Sequence, residues 1–163
     1  PAFGPHFTPG PGVTIAFSPE RIDPGNLTYG GQNTPKVVGG LTPACTRAGR
    51  DFYAQFIDVV VEAKGAKEAE MAKLIENTFR HVNIALVNEM LRFSHELDID
   101  LWDAIDCAAT KPFGYMAFRP GPGVGGHCIP VDPSDLSHRV KDQLGYALRM
   151  VELAEEINMA APL

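Results

Sequence analysis

From about residue 67 to residue 97 the chain carries one amphipathic pattern. Met71, Leu74, Ile75, Phe79, Val82, Leu86, Met90, Phe93 and Leu97 recur at steps of three and four residues. That spacing lines one face of an α-helix and does not suit the two-residue alternation of a strand. At a rise of about 1.5 Å per residue the helix is roughly 45 Å long. A single domain within 163 residues does not need such a length internally. The excess points to a spine shared between two copies of the chain. Glu68 and Glu70 stand in its first turn, where carboxylates complement the positive end of the helix dipole.

Ahead of the helix the signals are those of an α/β piece. Residues 13–17, VTIAF, read as a short buried strand that delivers Ser18-Pro19-Glu20 at its end. The turn-rich DPGNLTYGGQNTP follows, then KVVGG as a second strand closed by glycines and DVVVEA as a third. Between the last two, Thr42-Pro43 supplies an N-cap and a first-turn proline for a helix with Tyr53 and Phe56 on its apolar edge. Such a set is half an α/β unit, too little for a doubly wound sheet. Beyond the long helix, Asp100 caps a shorter one through about Ala109, and a loop covers residues 110–130. Asp132-Pro133 reads as N-cap and first-turn proline of a helix that breaks at Gly145, before a last helix to about Met159. The expected fold class is therefore α+β and mainly α, with residues 1–66 the α/β piece and residues 67–163 the helical domain.

Charge and composition narrow the function. A net charge of −6 without clustered Lys and Arg argues against a nucleic-acid surface. No apolar run is long enough to span a bilayer. The three cysteines, Cys45, Cys107 and Cys128, are odd in number and lack metal-ligand spacing, so neither a disulfide framework nor a zinc site is expected. A reducing, cytoplasmic setting and a small-molecule or protein partner follow. The opening PAFGPHFTPGPG has no basic n-region or apolar h-region and reads as a cut edge, not a signal peptide.

The densest chemistry is at residues 121–132, GPGVGGHCIPVD. Its glycines satisfy Gly-x-Gly-x-x-Gly, but a dinucleotide fingerprint follows a strand and opens a helix, and here Arg119-Pro120 precede and Ile129-Pro130 follow. A turn-rich loop, or glycines that let backbone N–H groups form an anion-binding nest, fits better. Cys128 sits just before a helix whose N-terminus would lower a thiol pKa, which makes it a candidate nucleophile; a small buried hydrophobe is the alternative. The adjacent His127 and Cys128 are poorly placed to share one metal ion or to align as base and nucleophile. Lys73 and Asn77, spaced i, i+4, project from one face of the long helix, with Arg80, His81 and Asn88 further along. They are either a solvated stripe or donors for a developing oxyanion. Asparagine is a poor helix former and needs a reason to be there. Glu20, at the end of the first strand, lies where α/β sheets place ligands and is a candidate general base.

In that order along the chain, FSPER, AEMAKLIENTFRHVNIALVNE, ATKPFGYMAFRPGPGVGGHCIPVDP and ELAEEIN resemble the UDP-glucose/GDP-mannose dehydrogenase family of nucleotide-sugar 6-dehydrogenases. TKPFG and PGPGVGGHCIPVDP look most like its UDP-N-acetylglucosamine 6-dehydrogenase branch. The resemblance spans residues 13–159 and implies the end of a Rossmann-type α/β domain. An all-helical central domain follows, similar to the C-terminal domain of 6-phosphogluconate dehydrogenase and dimerising through residues 67–97. It implies an NAD-dependent, four-electron oxidation of a UDP-sugar C6 hydroxyl to a carboxylate, supplying polysaccharide precursors. Cys128 matches the family's nucleophile, which holds the sugar as a thiohemiacetal and then a thioester. Glu20 matches its candidate base, Lys73 and Asn77 its oxyanion and water partners, and Asp132 an aspartate that supports proton transfer. Phe118, Arg119, Gly121, Gly123, Gly125 and Gly126 fall where the family grips the nucleotide-sugar. The family's N-terminal glycine fingerprint and its C-terminal nucleotide-covering domain have no counterpart in these residues, so the chain alone is expected to be inactive. Asp98 stands where the family favours glycine, and residues 133–136, PSDL, lack its aromatic pair.

Overall fold

The structure is a computed structural model. It describes residues 13–161 apart from Pro24, Gly126 and His127, and of residues 128–131 the backbone alone. In chain order it holds β1 (Ala16–Phe17), β2 (Lys36–Gly40), α1 (Pro43–Tyr53), β3 (Val60–Glu62), α2 (Ala66–Glu96), α3 (Leu101–Ala109), α4 (Cys128–Leu144) and α5 (Arg149–Ala160). Helix dominates, as the sequence requires. Two compact units divide between Lys73 and Leu74. The boundary expected near residue 66 coincides with the start of α2, whose first turns group with the sheet.

In the first unit the strands lie in the order β1-β2-β3, with β1 antiparallel and β3 parallel to β2. Parallel neighbours need a crossover, and α1 supplies it. Thr42 caps α1 from an extended backbone: its side chain accepts the Cys45 N–H at 3.2 Å, and Pro43 takes the first turn, where its missing N–H costs nothing. Val38 is fully buried. The glycines closing β2 serve close backbone approach, since a Cβ on Gly39 would stand 2.0 Å from the Gly65 carbonyl oxygen. Residues 13–17 depart from the expected buried strand. Only Ala16–Phe17 pair, and both are exposed. A strand is buried on both faces only between two layers, and β1 is an edge strand of this three-stranded sheet.

The second unit is helical. Leaving α2, Asp98 adopts φ +55° and the Ile99 N–H reaches the Ser94 carbonyl at 2.8 Å, the six-to-one bond of a Schellman turn. Asp100 then caps α3, accepting from the Trp102 and Asp103 N–H groups at 3.0 and 3.2 Å. Val87 of α2 clusters with Leu101 and Ile105 of α3, and Met90, Leu91 and Phe118 pack against them. Helix α4 packs on α5, where Ser134 Oγ donates to Glu155 Oε2 at 2.9 Å.

One further expectation is corrected here. Helix α4 starts at Cys128 and not at Asp132-Pro133, so a helix does follow the glycine loop directly. The carboxylate of Asp132 does not cap the helix because Asn77 engages it, and Pro133 is buried inside the helix. On α2 the stripe read either as solvated or as oxyanion donors is covered at Asn77, His81 and Asn88 and exposed at Arg80. Asn77, His81, Ala85 and Asn88, at steps of four, four and three, are buried, while Ile75, Phe79, Leu86, Phe93 and Leu97 are exposed.

Candidate active site

In the second unit Asn77 meets Asp132. Its Nδ2 donates to Asp132 Oδ2 at 2.6 Å, tying α2 to the first turns of α4, and Asn77 is 6 % exposed. A buried carboxamide must be paired, which answers why asparagine stands inside a long helix. One of its two N–H groups remains for another acceptor. Asp132 lies one helical turn after Cys128, and the Cys128 backbone forms the N-terminus of α4. The Cys128 side chain, like Gly126 and His127, lies outside the described residues.

The approach to α4 is a loop without strand, which removes half of the dinucleotide fingerprint. Phe118 turns into the fold, edge-on to Phe79 at 5.6 Å between ring centroids. Arg119 points out and pairs with Asp106 of α3. Gly121 donates its N–H to Asn88 Oδ1 at 2.9 Å, and Gly123 donates to the Gly121 carbonyl at 2.7 Å. These two amides are therefore spent within the fold. Gly125 is exposed, and a Cβ there would meet nothing within 4 Å. Gly123, at φ +92°, has the Asn158 carbonyl oxygen 2.5 Å from where a Cβ would be.

Asn158 was not legible as a site residue. On α5 it continues the buried line of Val151 and Ala154. An asparagine at an apolar position is the signal that could have exposed it. It accepts from Asn88 Nδ2 at 3.1 Å and donates to the His81 carbonyl at 3.1 Å.

Glu20 and Lys73 belong to the first unit. Glu20 Oε1 accepts from the Ile22 and Arg21 N–H groups at 2.8 and 2.7 Å, and Lys36 Nζ stands 3.7 Å from Oε2. The Ile22 N–H first, then the Arg21 N–H and the charges of Lys36 and Lys73, hold its carboxyl below the ordinary 4.5 against partial burial. Such a carboxylate is weakly basic. Among the described residues no cluster of His, Cys, Asp and Glu could hold a metal ion, and no helix is long and apolar enough to cross a membrane.

A short mixed-sheet unit followed by one long helix and a helical unit matches about a third of the fold of solved sugar-nucleotide dehydrogenases. The UDP-D-ManNAc dehydrogenase from Pyrococcus horikoshii superposes with a TM-score of 0.78 at 30 % identity, over 91 % of this chain and 34 % of that one. Residues 67–160 match the central domain of the UDP-glucose/GDP-mannose dehydrogenase family, and the chain belongs to that family. The UDP-N-acetyl-D-mannosamine dehydrogenase of Methanococcus aeolicus is 44 % identical over 124 residues, 76 % of this chain and 28 % of that protein. The NDP-N-acetyl-D-galactosaminuronic acid dehydrogenase of Ralstonia solanacearum is 37 % identical over 150 residues, 92 % of this chain and 34 % of that protein. The chain thus spans about a third of the length of the curated relatives it matches.

Proposed function

We propose that the protein carrying this chain is an NAD-dependent UDP-sugar 6-dehydrogenase that takes the sugar C6 hydroxyl to a carboxylate through Cys128. NAD supplies the hydride acceptor. The described residues contain no strand, glycine fingerprint and helix in succession, so no residue here is assigned to the cofactor. The work of this chain is to hold carbon. The Cys128 thiolate adds to the C6 aldehyde to give a thiohemiacetal, and its oxidation leaves a thioester. Water then attacks the thioester carbon, releasing the carboxylate and the thiol. A covalent adduct keeps the half-oxidised sugar from diffusing away between the two oxidations. The start of α4 at Cys128 is in keeping with a nucleophile at that position, because helix N-termini favour thiolates.

The observation that carries the reading is the bond between Asn77 and Asp132, one turn from Cys128 along α4. It supports Asn77 as an oxyanion or water partner with Asp132 as its proton-handling neighbour, and Lys73 lies one turn before Asn77 on α2. Glu20 is proposed to order a water or hydroxyl more than to take its proton, in keeping with its lowered pKa. Phe118, Arg119 and the glycines 121, 123, 125 and 126 are proposed to shape the nucleotide-sugar subsite. The substrate is a UDP-N-acetylhexosamine. The motifs favour N-acetylglucosamine, and the relatives' names favour N-acetylmannosamine. A cytoplasmic setting, without disulfides, belongs to the same proposal; Cys45 and Cys107 are free.

The test is Cys128→Ala in the full-length protein with UDP-N-acetylglucosamine and UDP-N-acetylmannosamine. About two NAD are reduced per sugar by the unsubstituted protein, and acid formation is lost in the variant. Full net turnover by Cys128→Ala would sink the mechanism. A second reading, a dimerising helical module inactive on its own, is favoured by the exposed apolar face of α2. Sedimentation of this chain during NAD titration separates them, since tight NAD binding by the chain alone excludes the inactive module.

A further inference from the structure

The glycine loop is anchored by side chains to which the reaction gives no role. Asn88 and Asn158 are 5 and 6 % exposed, too buried to be left unpaired. A line of hydrogen bonds runs through them. Gly121 N–H donates to Asn88 Oδ1 (2.9 Å), Asn88 Nδ2 to Asn158 Oδ1 (3.1 Å), and Asn158 Nδ2 to the His81 carbonyl (3.1 Å). A backbone N–H can only donate and a carbonyl can only accept, so both ends dictate the direction of the line. Each carboxamide then has one admissible orientation. Flipping Asn88 would set its NH2 against the Gly121 N–H, and flipping Asn158 would set oxygen against the His81 carbonyl.

Asn158 also acts through its own backbone. Its carbonyl oxygen occupies the space beside Gly123 that any Cβ would need, 2.5 Å away, and Gly123 holds φ +92°. One residue of α5 therefore places the loop twice, by a hydrogen-bond line ending at Gly121 and by steric contact at Gly123. Three of the five residues 121–125 are glycines, with no side chain to hold the loop, and binding to a disordered loop must first order it. We propose that Asn88 and Asn158 are positioning residues that pre-organise residues 121–125 for the phosphoryl and sugar oxygens of the substrate. The inference rests on the reading of this loop as the sugar-nucleotide subsite.

Asn88→Ala and Asn158→Ala in the full-length protein test it, read by hydrogen–deuterium exchange over residues 119–125 and by steady-state kinetics. Each variant breaks two buried hydrogen bonds of the line and is expected to speed loop exchange at least about tenfold and to raise the KM for the UDP-sugar about tenfold, with kcat within about twofold. Asn88→Asp keeps the oxygen facing Gly121 but sets a second carboxylate oxygen against Asn158 Oδ1 in a buried place, and moves both readouts in the same direction at least as far. Asn83→Ala, whose Nδ2 bonds the Phe79 carbonyl one turn back on the same helix, is expected to change neither. Unchanged loop exchange in Asn88→Ala overturns the anchoring, whatever the kinetics. Faster exchange with an unchanged KM overturns the role in substrate binding. Absence of UDP-sugar turnover by the unsubstituted protein overturns the functional reading instead, and is seen before any variant is made.

Discussion

His81 is the residue whose surroundings depart furthest from its own chemistry. It is 1 % exposed, and its Nε2 has no hydrogen-bond partner among the described residues. Burial lowers its pKa from the ordinary 6.5, while the charge of Glu155 on α5 pulls the other way. The unfolded chain therefore takes up a proton below pH 6.5 that the folded chain resists. The contribution of His81 to stability therefore rises with pH through the range below 6.5 and levels off above it. Urea midpoints measured from about pH 5 to about pH 7.5 are expected to show that rise, and His81→Asn to flatten it. Glu20 acts in a separate window. Its lowered carboxyl pKa contributes stability that is present above 4.5 and lost as pH falls below it. The stripe of Asn77, His81 and Asn88 was legible as an anomaly, because asparagine is costly in a helix. Its partners were not, since Asp132 and Asn158 lie 55 and 70 residues from the asparagines they meet.

Among the elements, α1, α2, α3 and α5 begin and end close to where caps and periodicity put them, because those signals act within one or two turns. The Asp98 turn illustrates a local cost. A left-handed residue with a Cβ is strained by about 1–2 kcal/mol, and glycine gives back part of the gain through its freer unfolded chain. Asp98→Gly is therefore expected to stabilise the second unit by about 0.5–1 kcal/mol, measured by chemical denaturation. No change, or a loss, would mean that the Asp98 side chain contributes what its backbone costs. Helix α4 shows the limit of local signals. Asp-Pro is a strong start signal, yet the helix runs through it, because Asp132 has a partner on α2 and Pro133 is buried.

For the whole molecule the telling feature is the open apolar face of α2. Ile75 and Leu97 are 61 and 64 % exposed, with Phe79, Leu86 and Phe93 between them at helical spacing. A contiguous apolar stripe of this kind marks an interaction surface. A second copy is the proposed occupant, in line with the length of the helix. Sedimentation is expected to give a dimer, and Ile75→Glu with Leu86→Glu a monomer that retains its helical circular dichroism. A dimer unaffected by the pair would place the contact elsewhere. The sequence by itself determined the presence of the helices, the caps of α1 and α3, the family and which residue types could carry chemistry, all of which depend on neighbours along the chain. Only the tertiary structure decided which face of α2 is covered, where α4 begins and what holds the glycine loop. Those outcomes depend on groups that meet across long stretches of chain, and periodicity carries no record of what packs against a face.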